Sequence, residues 1–368
     1  MNKKVKHVLL AIIAVIVVGI IAGWAYLQHP KFGQLPSEEA MTVLERSPNH
    51  RDGQFHNLME TPALSDGESV FSVLWDNARA DRDGLRPNVP LPSAKSDLRT
   101  YDLQEDLVVW LGHSSYYVQL NGRRLLIDPV FSRNAAPIPF ANQAFEGTTL
   151  YSADEMPPID YVLITHDHWD HLDYPTLKAL EPKVDYVITG LGMETYFEQW
   201  GYAPDRIHAQ DWNDVLTFDD GLRIHVLPAR HYSGRLLTRN QTLWVSFALE
   251  TSERRLYFSG DSGYGEHFTE IGQRLGDFDL VALDHGQYDP RWAHIHMTPE
   301  EASHAADDLN TRLLMPGHAG RFALAQHRWD EPFERLVRAS ETHRYQLVIP
   351  LIGQVVALDA PPALQPWW

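Results

Sequence analysis

The stretch that most constrains the fold is residues 161–173, with the sequence YVLITHDHWDHLD. A short apolar run of the kind found in buried strands leads directly into histidines and carboxylates. His166 and His168 are two residues apart, so in an extended segment their side chains project to the same side. Asp170 and His171 follow after a turn and can reach a second position beside the first. Crowding these titratable groups costs desolvation and repulsion unless a cation compensates, so the segment predicts a site for two metal ions.

Further candidate ligands follow other predicted strands, namely His231, Asp261 and His318. A lone histidine at a strand end is more often a hydrogen-bonding residue than a metal ligand. Together with the cluster at residues 166–171, however, the three complete the donor set that a dinuclear site needs. The chain has no cysteine, so thiolate metal sites, disulfides, iron–sulfur clusters and cysteine nucleophiles are excluded.

The organisation of the chain changes near residue 106. From there on, short apolar runs with β-branched residues recur, each closed by Gly, Pro, Asp or His, and helical patterns fall between some of them. This order predicts an α/β domain over residues 106–368, with two sheets and helices outside them. Residues 30–105 are rich in Pro, Gly, Asn and charge, and we expect an extension with short helices packed on the main body.

Residues 8–27 form a run of 20 residues without a charge. As a helix this run would span the roughly 30 Å hydrocarbon core of a bilayer. Three lysines precede it, and Trp24 and Tyr26 lie near its far end, so we expect a cytoplasmic N-terminus and an exported main chain. A cleaved signal peptide and a buried core helix are the alternatives. Because the run is long and has no polar face, we expect residues 1–29 to be an uncleaved membrane anchor.

The charge balance restricts the partners. The formal net charge is −18, from 31 basic and 49 acidic side chains. This charge argues against nucleic-acid binding, so a nuclease ranks well below the two hydrolase functions considered at the end of this section. An acidic domain does not adhere electrostatically to an anionic membrane, so the helix must hold it there.

A series of motifs stands in the order seen in metallo-β-lactamase-fold hydrolases, which the chain resembles. They are Gly112-His113-Ser114-Ser115, Ile127-Asp128-Pro129, Thr165-His166-Asp167-His168-Trp169-Asp170-His171, Gly260-Asp261-Ser262-Gly263 and Gly317-His318. A second set makes the chain similar to the N-acylphosphatidylethanolamine-hydrolysing phospholipase D branch and its bacterial relatives. It consists of Trp110-Leu111-Gly112-His113, Asp128-Pro129-Val130-Phe131-Ser132, Tyr288-Asp289-Pro290-Arg291-Trp292 and His296-Met297-Thr298-Pro299-Glu300-Glu301-Ala302. The resemblance covers about residues 105–345 and implies an αββα sandwich, the metallo-β-lactamase fold, behind the single transmembrane helix.

The resemblance also implies a role for each ligand. One metal would be held by His166, His168 and His231, the other by Asp170, His171 and His318, with Asp261 bridging them. Nitrogen and oxygen donors suit two zinc ions best, with iron or manganese as alternatives. Asp170 would orient the nucleophile, and His296 would assist the phosphate or the leaving group, unless His296 is only a polar residue at a helix start. Asp128 matches a buried carboxylate that orients a ligand histidine, whereas we expect Asp167 and Asp173 to be solvated.

We therefore expect a membrane-tethered dinuclear zinc hydrolase of phospholipase D type, whose metal-bridging hydroxide attacks N-acylphosphatidylethanolamine-like lipids. The alternative is a lactonase or other carbonyl-ester hydrolase, because the same hydroxide attacks carbonyl carbon. A catalytically dead metal-binding scaffold is disfavoured, since every ligand position is filled. Residues 285–287 and 319–320 depart from the animal phospholipase near the mouth of the site. The exact substrate, a lipid or a small molecule, therefore stays open, as does the oligomeric state.

Overall fold

The computed structural model describes residues 2–34, 36–65, 67–218, 221–235 and 238–368. The helices in these residues are α1 (Lys3–Leu27), α2 (Glu38–Leu44), α3 (Val70–Arg79), α4 (Tyr174–Leu180), α5 (Glu194–Gln199), α6 (His267–Leu275), α7 (Pro299–Asp308) and α8 (Glu331–Ser340). The strands of the first half are β1 (His50–Arg51), β2 (Gln54–Phe55), β3 (Leu107–Gly112), β4 (Ser115–Leu120), β5 (Arg123–Ile127), β6 (Ile159–Ile164), β7 (Val184–Gly190) and β8 (Ile207–Gln210). Those of the second half are β9 (Val215–Thr217), β10 (Arg223–Leu227), β11 (Ser246–Glu250), β12 (Arg255–Phe258), β13 (Leu280–Asp284), β14 (Leu313–Gly317), β15 (Gln346–Leu347) and β16 (Val355–Ala357).

Two mixed seven-stranded sheets form the body. The first has the order β16-β3-β4-β5-β6-β7-β8 and the second the order β15-β14-β13-β12-β11-β10-β9. Strands β5 to β8 run parallel to one another, and so do β12 to β15. The remaining pairs in both sheets are antiparallel.

The alternation of side chains along a strand assigns each face of the first sheet to a different core. Val108 and Trp110 of β3 belong to the large cluster shared with the second sheet. Leu107 and Val109 of the same strand point the other way, into a second cluster with Leu177 of α4. Both faces of the strand are therefore buried away from solvent, which explains its uninterrupted apolar sequence. With α6, α7 and α8 packed on the outer face of the second sheet, the predicted αββα sandwich is confirmed.

Helix α1 confirms that the N-terminal apolar run is helical. All of its side chains are exposed, and among the described residues it is the one helix long and apolar enough to cross a membrane. In the extension that follows, Leu44 and Phe55 are buried in the same core as both sheets. The division of the chain after residues 29 and 105 stays a prediction.

The carboxyl ends of the parallel strands meet at one edge of the sandwich. Residues that follow β5, β6, β12, β13 and β14 therefore gather there, as ligand-binding loops do in α/β folds. At this edge Gly260 adopts a left-handed conformation (φ +57°), and a Cβ atom there would lie 2.7 Å from Thr165 Cβ. Only glycine allows the loop after β12 to approach the loop after β6 so closely.

Candidate metal centre

The loops at this edge bring the predicted ligands into two groups. In each group every residue offers a ligand atom within 4.8 Å of the others; the groups are His166, His168, His231 and Asp261, and His113, Asp170, His171 and His318. All seven predicted metal ligands are thus brought together. His113, which the sequence indicated only as part of a motif, joins them.

Asp261 lies between the two groups. Its Oδ2 atom is 3.6 Å from Nε2 of both His166 and His231. Its Oδ1 atom is 3.1 Å from His171 Nε2 and 2.9 Å from His318 Nδ1. Each carboxylate oxygen therefore faces one group of imidazoles, the placement required of a residue that bridges two metals.

The hydrogen bonds at the back of the imidazoles show which nitrogens carry protons. His231 Nδ1 lies 2.9 Å from the carbonyl oxygen of Ile295, which can only accept, so the proton is on Nδ1 and the Nε2 lone pair faces inward. His171 Nδ1 donates in the same way to Asp128 Oδ2 at 2.7 Å. The buried His171 Nε2 and Asp261 Oδ1 then face each other without a hydrogen bond. Two acceptors so close fit a cation between them.

The pKa shifts of the histidines are consistent with neutral imidazoles that can donate a nitrogen lone pair to a metal. Burial lowers the pKa of His166 and His231 well below the ordinary value and that of His168 to about 4, which keeps these rings in the neutral, metal-binding form. His171 differs. Although burial opposes its charge, Asp261 and the other carboxylates around it raise its pKa well above the ordinary value. A cation held among the same carboxylates would take the place of that proton.

Buried hydrogen-bond partners fix the ligands from behind. Asp128 accepts from His171 Nδ1 and from the backbone N–H (2.8 Å) and hydroxyl (2.6 Å) of Thr165, in line with the predicted orienting role. His113 Nε2 lies 2.8 Å from Asp170 Oδ2 and holds that carboxylate in place. Burial lowers the pKa of His113 to about 3.

Asp167 and Asp173 are not solvated, contrary to expectation. Asp167 is 3% exposed and accepts hydrogen bonds from Tyr196 Oη, Thr242 Oγ1 and the backbone N–H of Gly234. Asp173 is 6% exposed and accepts from the hydroxyl of Thr176 and the backbone N–H of Ser132. Both carboxylates therefore fasten the loop that carries the ligand histidines to its surroundings.

His296 reaches the same centre and has a partner that the sequence reasoning missed. It groups with Asp261 and His318, and its ring stacks on His318 with a centroid distance of 4.7 Å. On its far side, His296 Nδ1 lies 2.8 Å from Asp284 Oδ2. Burial raises the pKa of Asp284 well above its usual value and lowers that of His296. Because Oδ2 and Nδ1 are within hydrogen-bond distance, one proton lies between them, and Nε2 is the ring nitrogen that Asp284 does not engage. Asp284 stands at the end of a predicted strand, the one signal that could have identified it.

A cleft of about 1050 Å³ leads to this centre. His168, Asp170, Asp261, His296 and His318 lie at its floor. Its walls come from distant parts of the chain and include Arg86, Phe140, Trp169, Arg239 and Trp292. The cleft can admit a substrate much larger than a single phosphate group.

Comparison with known proteins places the chain in a family. Residues 123–319 match the family model of the beta-lactamase superfamily domain. The chain belongs to this superfamily. An uncharacterized protein of Mycobacterium tuberculosis is 39% identical over 332 residues, 89% of this chain and 88% of that protein.

The chain is also similar to a phospholipase D and to a solved structure with the same type of fold. N-acyl-phosphatidylethanolamine-hydrolyzing phospholipase D 1 of Caenorhabditis elegans is 29% identical over 264 residues, 68% of this chain and 73% of that protein. Igni18, a metallo hydrolase of Ignicoccus hospitalis, has a similar fold, with a TM-score of 0.52 at 20% identity over 69% of this chain and 98% of that one. These findings confirm the predicted superfamily, and the similarity to the phospholipase D fits the predicted branch. The chain is a metal-dependent hydrolase of the metallo-β-lactamase fold.

Proposed function

We propose that this hydrolase is a dinuclear zinc phosphodiesterase of phospholipase D type that cleaves N-acylphosphatidylethanolamine-like lipids at a membrane. The observation that carries the proposal is the position of Asp261, between two groups of imidazoles at the floor of a large cleft. The name of the related Caenorhabditis elegans protein supports the substrate class.

The proposed ligands are the members of the two groups other than His113, which holds Asp170 in place. His166, His168 and His231 would hold one ion, Asp170, His171 and His318 would hold the other, and Asp261 would contact both. All donors are nitrogen or oxygen, which favours zinc over softer metals and leaves iron and manganese as alternatives. When bound, two such ions activate a water molecule and offset the charge that develops on the phosphoryl oxygens.

The side chains of the protein supply orientation and a proton. Asp170, held by His113, directs the attacking water towards phosphorus. The leaving alkoxide is a strong base and needs a proton. His296 Nδ1 is engaged by Asp284, so Nε2 is the ring atom that delivers the proton, and Nδ1 recovers one from Asp284 as it does so.

The N-terminal helix supplies the proposed membrane attachment. Residues 1–29 anchor the chain with the N-terminus in the cytoplasm and the catalytic domain exported. This keeps the cleft within reach of lipid head groups. Fractionation of membranes with the intact chain and with a chain lacking residues 1–29 tests the anchor separately.

The function is tested with the purified full-length protein, metal analysis and a panel of substrates. The panel contains a generic phosphodiester, an N-acylated phospholipid, a lactone and a β-lactam. We expect turnover of both phosphodiesters, fastest for the phospholipid. Turnover of the lactone alone would replace the proposal with the carbonyl-ester hydrolase. Asp261→Ala should lose metal and activity together, whereas Asp205→Ala, at an exposed carboxylate away from the centre, should lose neither.

A further inference from the structure

The C-terminal end of helix α1 and the residues that follow it are fastened to the catalytic domain. We call residues 26–32 the juxtamembrane clamp. Tyr26 Oη donates a hydrogen bond of 2.5 Å to the carbonyl oxygen of Pro137, and Lys31 Nζ donates one of 2.7 Å to the same atom. Lys31 Nζ also lies 2.7 Å from Tyr26 Oη, so the three groups form one closed contact.

The other half of the clamp is attached beside the metal centre. Phe32 is 4% exposed and packs edge-to-face on Trp169 at a centroid distance of 5.4 Å. Trp200 Nε1 donates to the carbonyl oxygen of Pro30 at 2.9 Å, and Arg235 Nε donates to that of Lys31 at 2.6 Å. Several hydrogen bonds and a buried ring must therefore be released before the body can turn relative to the helix. The helix is joined to the body without a flexible linker.

Both attachments are made to segments of the chain that contribute side chains to the walls of the cleft. Trp169 lines it directly. Pro137 belongs to residues 134–143, which we call the rim loop. An isolated antiparallel β-bridge between Asn134 and Gln143 closes the loop at its base. At its tip, the backbone N–H of Ala141 donates a hydrogen bond to the carbonyl oxygen of Ile138 and forms a turn.

The composition of the rim loop suits a membrane surface rather than water. Residues 134–145 contain no charged side chain. Phe140, at the tip, lines the cleft and is 75% exposed. It is three residues beyond Pro137, so its Cα lies within about 11 Å of the proline Cα even if the chain is fully extended. That reach is comparable with the depth of the interfacial layer, where aromatic side chains are stabilised.

We infer that the juxtamembrane clamp holds the rim loop against the leaflet from which α1 emerges, with Phe140 inserted among the lipid head groups. The inference rests on the proposed anchor. Residues 30–368 carry 28 basic and 49 acidic side chains, a net charge of −21, so the body has no overall electrostatic attraction to an anionic surface. Docking therefore depends on this apolar contact and on the helix. The cleft then opens directly onto the bilayer, and a lipid can enter from the leaflet without crossing water.

The absence of cysteine allows a direct test with single cysteines. Phe140→Cys in the full-length protein is labelled with a polarity-sensitive fluorophore and reconstituted in phosphatidylcholine vesicles. The matched control is Val215→Cys, which is 46% exposed on β9 at the edge of the second sheet. We expect a blue-shifted label at position 140, quenched by lipid-borne nitroxide and protected from iodide. The label at position 215 should behave in the opposite way. Equal quenching by iodide at both positions would overturn the inference.

A second variant tests the clamp itself. Tyr26→Phe combined with Lys31→Ala removes both hydrogen bonds to Pro137. In this background we expect the label at position 140 to lose most of its protection from iodide, while hydrolysis of a water-soluble phosphodiester and metal content stay unchanged. Full protection would show that the clamp does not hold the loop. Because fluorescence is read independently of hydrolysis, failure of the inference and failure of the proposed function are distinguishable.

Discussion

Substitution of Asp284 by asparagine tests whether the Asp284–His296 pair supplies a proton to the leaving group. The Asp284 side chain is fully buried, and its Oδ2 lies 2.8 Å from His296 Nδ1. Asparagine has nearly the same shape and can keep a hydrogen bond to Nδ1. It carries neither a charge nor an acidic proton, so His296 cannot recover the proton that it gives up.

The size of the effect follows from the hydrogen bond that forms as the proton is delivered, because Asp284 then becomes a carboxylate. A hydrogen bond to this charged group contributes about 1.5–3 kcal/mol, against about 0.5–1.5 kcal/mol for one to a neutral amide. The difference of about 1–1.5 kcal/mol corresponds to roughly tenfold in kcat. His296→Ala removes the proton donor altogether and should lower kcat by about 100-fold or more. When His296→Ala is already present, adding Asp284→Asn should lower kcat little further, because the two residues act as one unit.

The assay compares two phosphodiesters that differ only in the leaving group. One releases an alkoxide, which needs a proton, and the other releases p-nitrophenolate, which does not. We expect the losses in kcat on the alkoxide substrate, with KM and zinc content little changed. On the p-nitrophenyl substrate both variants should stay within about threefold of the parent protein.

The control is Asp279→Asn. Asp279 directly precedes β13, at the end of the strand away from Asp284, and accepts a hydrogen bond from Arg254. It should leave kcat on both substrates unchanged. Equal losses at Asp284 on the two substrates, or a loss of zinc from the Asp284 variant, would refute the proton-supply reasoning.

Three further predictions concern the metal, the core and acid stability. Asp128→Ala should weaken zinc binding about 10- to 100-fold, measured by competition with a chelator, because His171 loses its orienting partner; unchanged affinity would contradict this. Leu163→Ala, at a fully buried position between the sheets, should lower the free energy of unfolding by about 2–5 kcal/mol in urea titrations at fixed zinc. Burial lowers the pKa of His267 from 6.5 to about 3 in the folded protein. The neutral, buried ring therefore contributes fully to the stability of the fold above pH 6.5. This stability is lost as the pH falls towards 3, because the unfolded chain takes up a proton on His267 more readily. His267→Gln should remove up to about 1.4 kcal/mol per pH unit from the slope of stability in that window, and an unchanged slope would show that the ring is not buried.

The sequence predicted the strands near the centre of each sheet better than the elements at the edges. Buried strands such as β3 and β6 have recognisable apolar runs, whereas β8, β9 and β16 are short and partly exposed and give only a weak signal in the sequence. The signal for helix α6 is weak as well. It contains Gly272, a poor helix former, at a position where a Cβ atom would lie 1.9 Å from the carbonyl oxygen of Asp308. Tertiary packing, which sequence periodicity does not show, selects that glycine.

The metal centre could be predicted because its ligands are histidines and aspartates in loops after apolar runs. The buried role of Asp167 could not, since its partners Tyr196 and Thr242 are 29 and 75 residues away. Asp284 was missed for a similar reason. A single aspartate at a strand end becomes informative only when the fold places it behind His296.

The most direct measurement is anomalous scattering at the zinc absorption edge from crystals of the zinc-loaded protein. Seven side chains that enclose two ions predict two peaks about 3.5–4 Å apart, one on each side of Asp261. A single peak, or two peaks away from these side chains, would contradict the dinuclear centre.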